Sequence, residues 1–133
     1  MTERTTGAGT DIVSVARVAA LISSGGDRFL ARWFTPAEVG YCAAMAVPER
    51  HFAARLAAKE AVVKALRAPA DGPLPWRGIE IGHDEVGAPV VRLSGRAREL
   101  ADHRGVGRLH VSLSHCDEYA VASAVAVAVP AGR

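Results

Sequence analysis

At 133 residues the chain is long enough for one domain with a buried core and too short for two of ordinary size. Half of its residues are hydrophobic but only 5% are aromatic, so the core must be packed closely from alanine- and valine-sized side chains. A formal charge of +2, with 8 basic and 6 acidic residues through Leu66 and 8 of each beyond it, excludes the basic tail or stripe of a nucleic-acid binder.

In chain order, residues 1–6 are polar and expected to fray. Gly7 to Asp11 reads as a short strand leading into the helical pattern of Val15, Val18, Ala19 and Ile22, which Gly25 and Gly26 are expected to end. Arg28 to Phe34 reads as a short turn. Thr35-Pro36-Ala37-Glu38 then joins a capping box to a proline at the first helical position, the start of a second helix. Pro48 opens a third, about 18 residues long, rich in strong helix formers through Leu66. Pro69 to Pro75 is a proline- and glycine-rich loop. Trp76 to Gly82 and Pro89 to Leu93 read as the strands of a hairpin around a turn at Asp84 to Ala88. Ser94 is placed as the cap of a helix reaching about His103. Arg108 to Ser114 and Glu118 to Val129 read as two further strands, joined at His115 to Asp117. The sum is an α+β fold, expected as a single domain over residues 1–133.

No apolar run reaches the length of a membrane span, and the N-terminal stretch lacks a signal-peptide core. Cys42 and Cys116 have no metal-type spacing and are expected as free thiols in a reducing cytoplasm.

The chain carries 14 arginines and two lysines, and both lysines, Lys59 and Lys64, fall in the third helix. An ammonium is a compact mobile charge where a guanidinium is a rigid fork, so the exception points to a local need. Glu60 and Lys64 lie four residues apart on one helix face. They read either as a solvated ion pair or as a carboxylate for a divalent cation beside an ammonium for a phosphate oxygen. Arg55 lies about 140° around the same helix from Glu60 and must face another surface. Asp11, at the end of its strand, reads as the cap of the next helix or as a ligand. Magnesium takes only one or two protein carboxylates, so Asp11 with Glu60 would suffice. His115 closes the alternating strand Val111-Ser112-Leu113-Ser114, and it reads as structural or as part of a site. Neighbouring strand residues point to opposite faces, so Ser114 and His115 are no nucleophile and base, and no G-x-S-x-G elbow is present.

Together these pieces resemble one family. Gly9-Thr10-Asp11 followed by Arg17, then Phe34-Thr35-Pro36-Ala37-Glu38, Arg55-Leu56-Ala57-Ala58-Lys59-Glu60-Ala61 with Lys64, Gly87-Ala88-Pro89, and Ser112-Leu113-Ser114-His115 are similar to the holo-acyl-carrier-protein synthase type of phosphopantetheinyl transferase. The pattern runs from Gly7 to about Val129. The resemblance implies a small transferase fold, an antiparallel sheet packed on a long helix, working as a homotrimer with the coenzyme between subunits. It implies transfer of 4'-phosphopantetheine from coenzyme A to a serine of an apo acyl carrier protein of the fatty-acid or polyketide type, with magnesium, releasing adenosine 3',5'-bisphosphate. Asp11 and Glu60 match the metal ligands, and Lys64 joins them as a catalytic residue that also contacts the coenzyme. Arg55, His115 and Pro89 match positions at the coenzyme, and Arg17 matches the carrier-docking helix, where Arg28 and Arg32 extend the patch. Glu60 or a water takes the serine proton. Lys59 is given no role beyond a structural or solvated one. Thr10, Leu56 and Cys116 depart from the usual residues without removing a charge. The competing reading is a noncatalytic module that binds coenzyme A or a nucleotide.

Overall fold

The computed structural model describes residues 2–69, 72 and 76–130. Strand β1 (Arg4–Ser14) leads into helix α1 (Val15–Trp33), followed by α2 (Pro36–Ala43) and α3 (Pro48–Ala65). After a 3-10 turn at Trp76–Gly78 come β2 (Ile79–His83), β3 (Pro89–Leu93), α4 (Gly95–His103), β4 (Arg108–His115) and β5 (Tyr119–Ala128). The five strands form two antiparallel sheets, one in the order β1-β5-β4 and one the β2-β3 hairpin. This is the α+β arrangement of an antiparallel sheet on a long helix.

Helix α3 is the axis of the molecule. Its Ala57, Ala58 and Ala61 are fully buried, and they meet the inward alternation of β5, where Ala120, Ala122, Ala124 and Ala126 are buried too. Small side chains on both surfaces bring helix and sheet close, which is how a chain with so few aromatics fills its interior. Gly7 and Gly9 on β1 are part of the same contact. A Cβ at Gly7 would overlap the Ala65 carbonyl oxygen, and one at Gly9 the Ala61 carbonyl oxygen. Only glycine lets this strand lie against the helix, and that approach sets Asp11 beside the last turns of α3.

Several expectations are corrected. The strand begins at Arg4, so Arg4 and Thr5 pair with β5 instead of fraying and Thr6 sits at a bulge with its hydroxyl on the Ala126 carbonyl, while Met1 lies outside the described residues. It also runs past Asp11 to Ser14, whose side chain accepts the Arg17 N–H and caps α1. Asp11 therefore has no capping role. The Gly25-Gly26 pair kinks α1 and does not end it. Gly26 takes a left-handed φ of 55°, and helical backbone resumes through the segment read as a turn, up to Trp33. The continuation is held by the i, i+4 contact of Phe29 with Trp33 inside the helix and by the tertiary contact of Trp33 with Trp76, with ring centroids 6.4 and 4.6 Å apart. Trp76 to Gly78 is a helical turn and not strand. Ser94 occupies the start of α4 but its side chain makes no capping bond. Five residues of the Pro69 to Pro75 loop lie outside the described residues.

Other features stand as read. The Thr35/Glu38 capping box forms in both directions, α3 starts at Pro48, and the hairpin turns at Asp84, whose Oδ1 accepts the Val86 and Ala88 N–H groups. Cys42 and Cys116 are free. Among the described residues no helix is long and apolar enough to cross a membrane.

Of the two roles open to Lys59, structural or solvated, the structure shows the structural one, with the side chain fully buried. Its ammonium lies 2.8 Å from Glu38 Oε1 and donates to the Trp76 and Ile79 carbonyls, and both side chains are almost fully buried. Glu38 in turn accepts the Thr35 and Ile81 N–H groups. One ion pair thus ties α2, α3 and β2 together. Burial lowers the Lys59 pKa, while the Glu38 charge and hydrogen bond oppose that shift.

Candidate active site

The residues singled out from the sequence gather in two cavities on different sides of α3. The first, of about 380 Å³, lies between the end of β1, α1 and α3, with Asp11, Arg17 and Glu60 on its wall among apolar side chains such as Val18 and Leu56. Asp11 Oδ1 accepts from Lys64 Nζ at 3.3 Å, and the same ammonium donates to the Thr10 carbonyl at 2.9 Å. Lys64 thus pairs across to β1, not with Glu60 along its own helix as the spacing of four suggested. Asp11 Oδ2 is buried without a hydrogen-bond partner. The Glu60 carboxyl beside it has its pKa raised from 4.5 to about 7, first by burial and then by the neighbouring Asp11 carboxylate, with Lys64 and Arg17 pulling the other way. Two crowded carboxyls, one with an orphaned oxygen, form a donor set that a hard divalent cation satisfies. The described residues bring no three His, Cys, Asp or Glu side chains together as a metal-holding group, so the protein's share would be these two acids.

The second cavity, of about 290 Å³, collects Arg55, His115 and Pro89. Arg55 is only 4% exposed. Its Nη2 lies 3.3 Å from His83 Nε2, its guanidinium lies over the Tyr41 ring at 4.3 Å, and its Nε has no partner. No carboxylate among the described residues pairs with it. A guanidinium buried without an acid is costly, and an anionic ligand relieves that cost. His51 stands edge-on to His115 with centroids 4.9 Å apart, and Tyr41 lies 4.6 Å from His83. Tyr41, His51 and His83 were not picked out from the sequence. His51 alone carried a signal, one helical turn before Arg55.

Leu56 and Glu60 look into the first cavity while His51, Ala54 and Arg55 look into the second, as the wheel geometry required. Within one chain the two sets do not meet. The first suits an anionic group held through a cation and an ammonium, the second an anion held by guanidinium and imidazole.

A family model described as the 4'-phosphopantetheinyl transferase superfamily matches residues 7–124. The chain is 50% identical over 118 residues to the holo-[acyl-carrier-protein] synthase of Moorella thermoacetica, covering 89% of this chain and 91% of that one. It is 44% identical over 119 residues to the synthase of the same name from Koribacter versatilis, covering 90% and 95%. Its fold superposes on the Helicobacter pylori holo-[acyl-carrier-protein] synthase in complex with coenzyme A with a TM-score of 0.78, at 31% identity, covering 90% of this chain and 98% of that one. With the transferase fold, the facing acids Asp11 and Glu60 and matches over most of its length, the chain belongs to the 4'-phosphopantetheinyl transferase superfamily.

Proposed function

We propose that this protein is a holo-acyl-carrier-protein synthase, working in the cytoplasm as one transferase domain over the whole chain. It moves 4'-phosphopantetheine from coenzyme A to a serine hydroxyl of an apo acyl carrier protein of a fatty-acid or polyketide system and releases adenosine 3',5'-bisphosphate. The observation that carries this reading is the approach of Asp11 to Glu60 beside Lys64, because it gathers what phosphoryl transfer needs at one point. Asp11 and Glu60 would hold magnesium, which when bound would neutralise negative charge on the pyrophosphate. Lys64, now bonded to Asp11 and to the Thr10 carbonyl, turns its ammonium to a phosphate oxygen once Asp11 has another partner. Glu60 or a water accepts the serine proton. Arg17, at the rim of this cavity on α1, faces the acidic carrier and steers its approach.

Arg55, His115 and Pro89 hold the nucleotide end in the other cavity, so a complete site takes its halves from two copies of the chain in a homotrimer. The outer face of the β1-β5-β4 sheet supports this. Ile12 is 64% exposed, Tyr119 51% and Val121 37%, and Ile12 pairs with Val121 across the strands, opposite the alanine face on α3. Such a face is an interface in waiting.

The test is intact-mass spectrometry of apo acyl carrier protein incubated with the protein, coenzyme A and magnesium. The reading predicts a gain of about 340 Da, the mass of the phosphopantetheine arm, absent with a chelator and absent with Glu60→Gln. No gain on fatty-acid or polyketide carriers, with coenzyme still bound, would leave only a binding module.

A further inference from the structure

The second cavity holds more histidine than the resemblance accounts for. Of the five histidines in the chain, three converge on it from different elements: His51 from α3, His83 from the end of β2 and His115 from the end of β4. They surround the buried Arg55, whose Nε finds no acceptor. The Arg55–His83 contact also fixes a protonation state. A guanidinium only donates, so at 3.3 Å the His83 Nε2 must accept, and His83 is neutral with its proton on Nδ1.

The acids near the cavity are already engaged. From the hairpin turn, Asp84 Oδ1 accepts the Val86 and Ala88 N–H groups of its own loop. After β4, Asp117 pairs with Arg50 at 2.7 Å. From α2 the Tyr41 ring packs against both Arg55 and His83. The groups acting on His51 are thus His115, Arg55 and Arg50, and those acting on His83 are Arg55 and, more weakly and in the opposite sense, Asp84, so positive charge dominates the cluster. Burial and then the charges of His115, Arg55 and Arg50 lower the His51 pKa. Burial and then Arg55 lower that of His83, against a smaller opposing effect of Asp84.

We propose that His51 and His83, with His115 and Arg55, form a proton-linked phosphate cage: entry of the phosphorylated nucleotide draws a proton onto one or both of these imidazoles, and binding weakens as pH rises from about 6 to about 8. This rests on the reading of the second cavity as the nucleotide half of the transferase site. The physical step is an exchange of partners. A phosphate takes up the donors of Arg55, which frees His83 Nε2 from accepting, and the added negative charge favours imidazolium at both rings. The sign follows from the direction: the rings bind protons more tightly with anion present, so affinity is greatest at low pH and is lost as pH rises past the bound-state titration.

The test uses the whole protein with adenosine 3',5'-bisphosphate as probe. Histidine ring resonances are followed by NMR across neutral pH with and without nucleotide, assigned with His51→Gln and His83→Gln, and affinity is measured by calorimetry at about pH 6 and pH 8. His103 and His110, which do not line the cavity, serve as internal controls. The expected result is a move of the His51 or His83 midpoint to higher pH on binding and an affinity about tenfold weaker at the higher pH, a difference lost when both are glutamine. Nucleotide binding that depends on Arg55 but leaves both midpoints and the pH dependence unchanged overturns the cage and keeps the half-site. Absence of binding, or binding that perturbs only His103 or His110, overturns both.

Discussion

Glu60 sits where burial and the Asp11 charge both oppose its ionisation, and a pH dependence of stability follows. Its folded pKa of about 7 exceeds the ordinary 4.5. The stability it contributes is therefore fully present below about pH 4.5 and is lost as pH rises through 7. Without metal, Glu60→Gln is expected to melt higher than the parent at pH 8 and to match it near pH 4, as thermal unfolding in chelator will read. The same substitution, like Asp11→Asn, should lower transfer at least about a hundredfold, because each removes a group aimed at the charge that develops on phosphorus. Lys59 makes the opposite case. It was expected to be structural or solvated, and the structure buries it against Glu38 on another helix, a pairing that no local spacing announces. Lys59→Met alone leaves the Glu38 carboxylate buried and should cost about 3–5 kcal/mol in urea unfolding, whereas Lys59→Met with Glu38→Leu should recover much of that loss.

At the level of elements, the geometry of the site comes from one close contact, glycine strand on alanine helix. Gly9→Ala would drive a methyl into the Ala61 carbonyl and the Lys64 Cβ. It should destabilise by about 1–3 kcal/mol and lower activity further than that loss of fold explains, since β1 carries Asp11 to Glu60. Helix α3, the capping box at Thr35 and the Asp84 hairpin were legible in the sequence because their signals are local: a proline start, paired side chains three apart, an acid that accepts its own turn. The length of α1 was not, because the Gly25-Gly26 stop signal is overridden by the packing of Trp33 on Trp76, a contact between distant parts of the chain that exists only in the folded molecule. Asp11, Glu60, Lys64, Arg55 and His115 were legible as a family pattern. Tyr41, His51 and His83 were not, since they come from three elements and have meaning only around the Arg55 guanidinium they enclose.

In the whole molecule as proposed, neither cavity is a site by itself, and copies of the chain complete each other. Val121→Glu, placing a charge at the centre of the exposed sheet face, should leave the fold intact and yield monomers in analytical ultracentrifugation, with loss of transfer. Subunit complementation reads directly whether the two cavities belong to one site. Glu60→Gln and Arg55→Ala, each inactive alone, are mixed, dissociated and reassembled, and transfer to the carrier is read by intact mass. If the two cavities work across a subunit boundary, random reassembly joins an intact Glu60 half to an intact Arg55 half at about a quarter of the boundaries, and activity returns in that proportion. Reassembled mixed oligomers that stay inactive would contradict it.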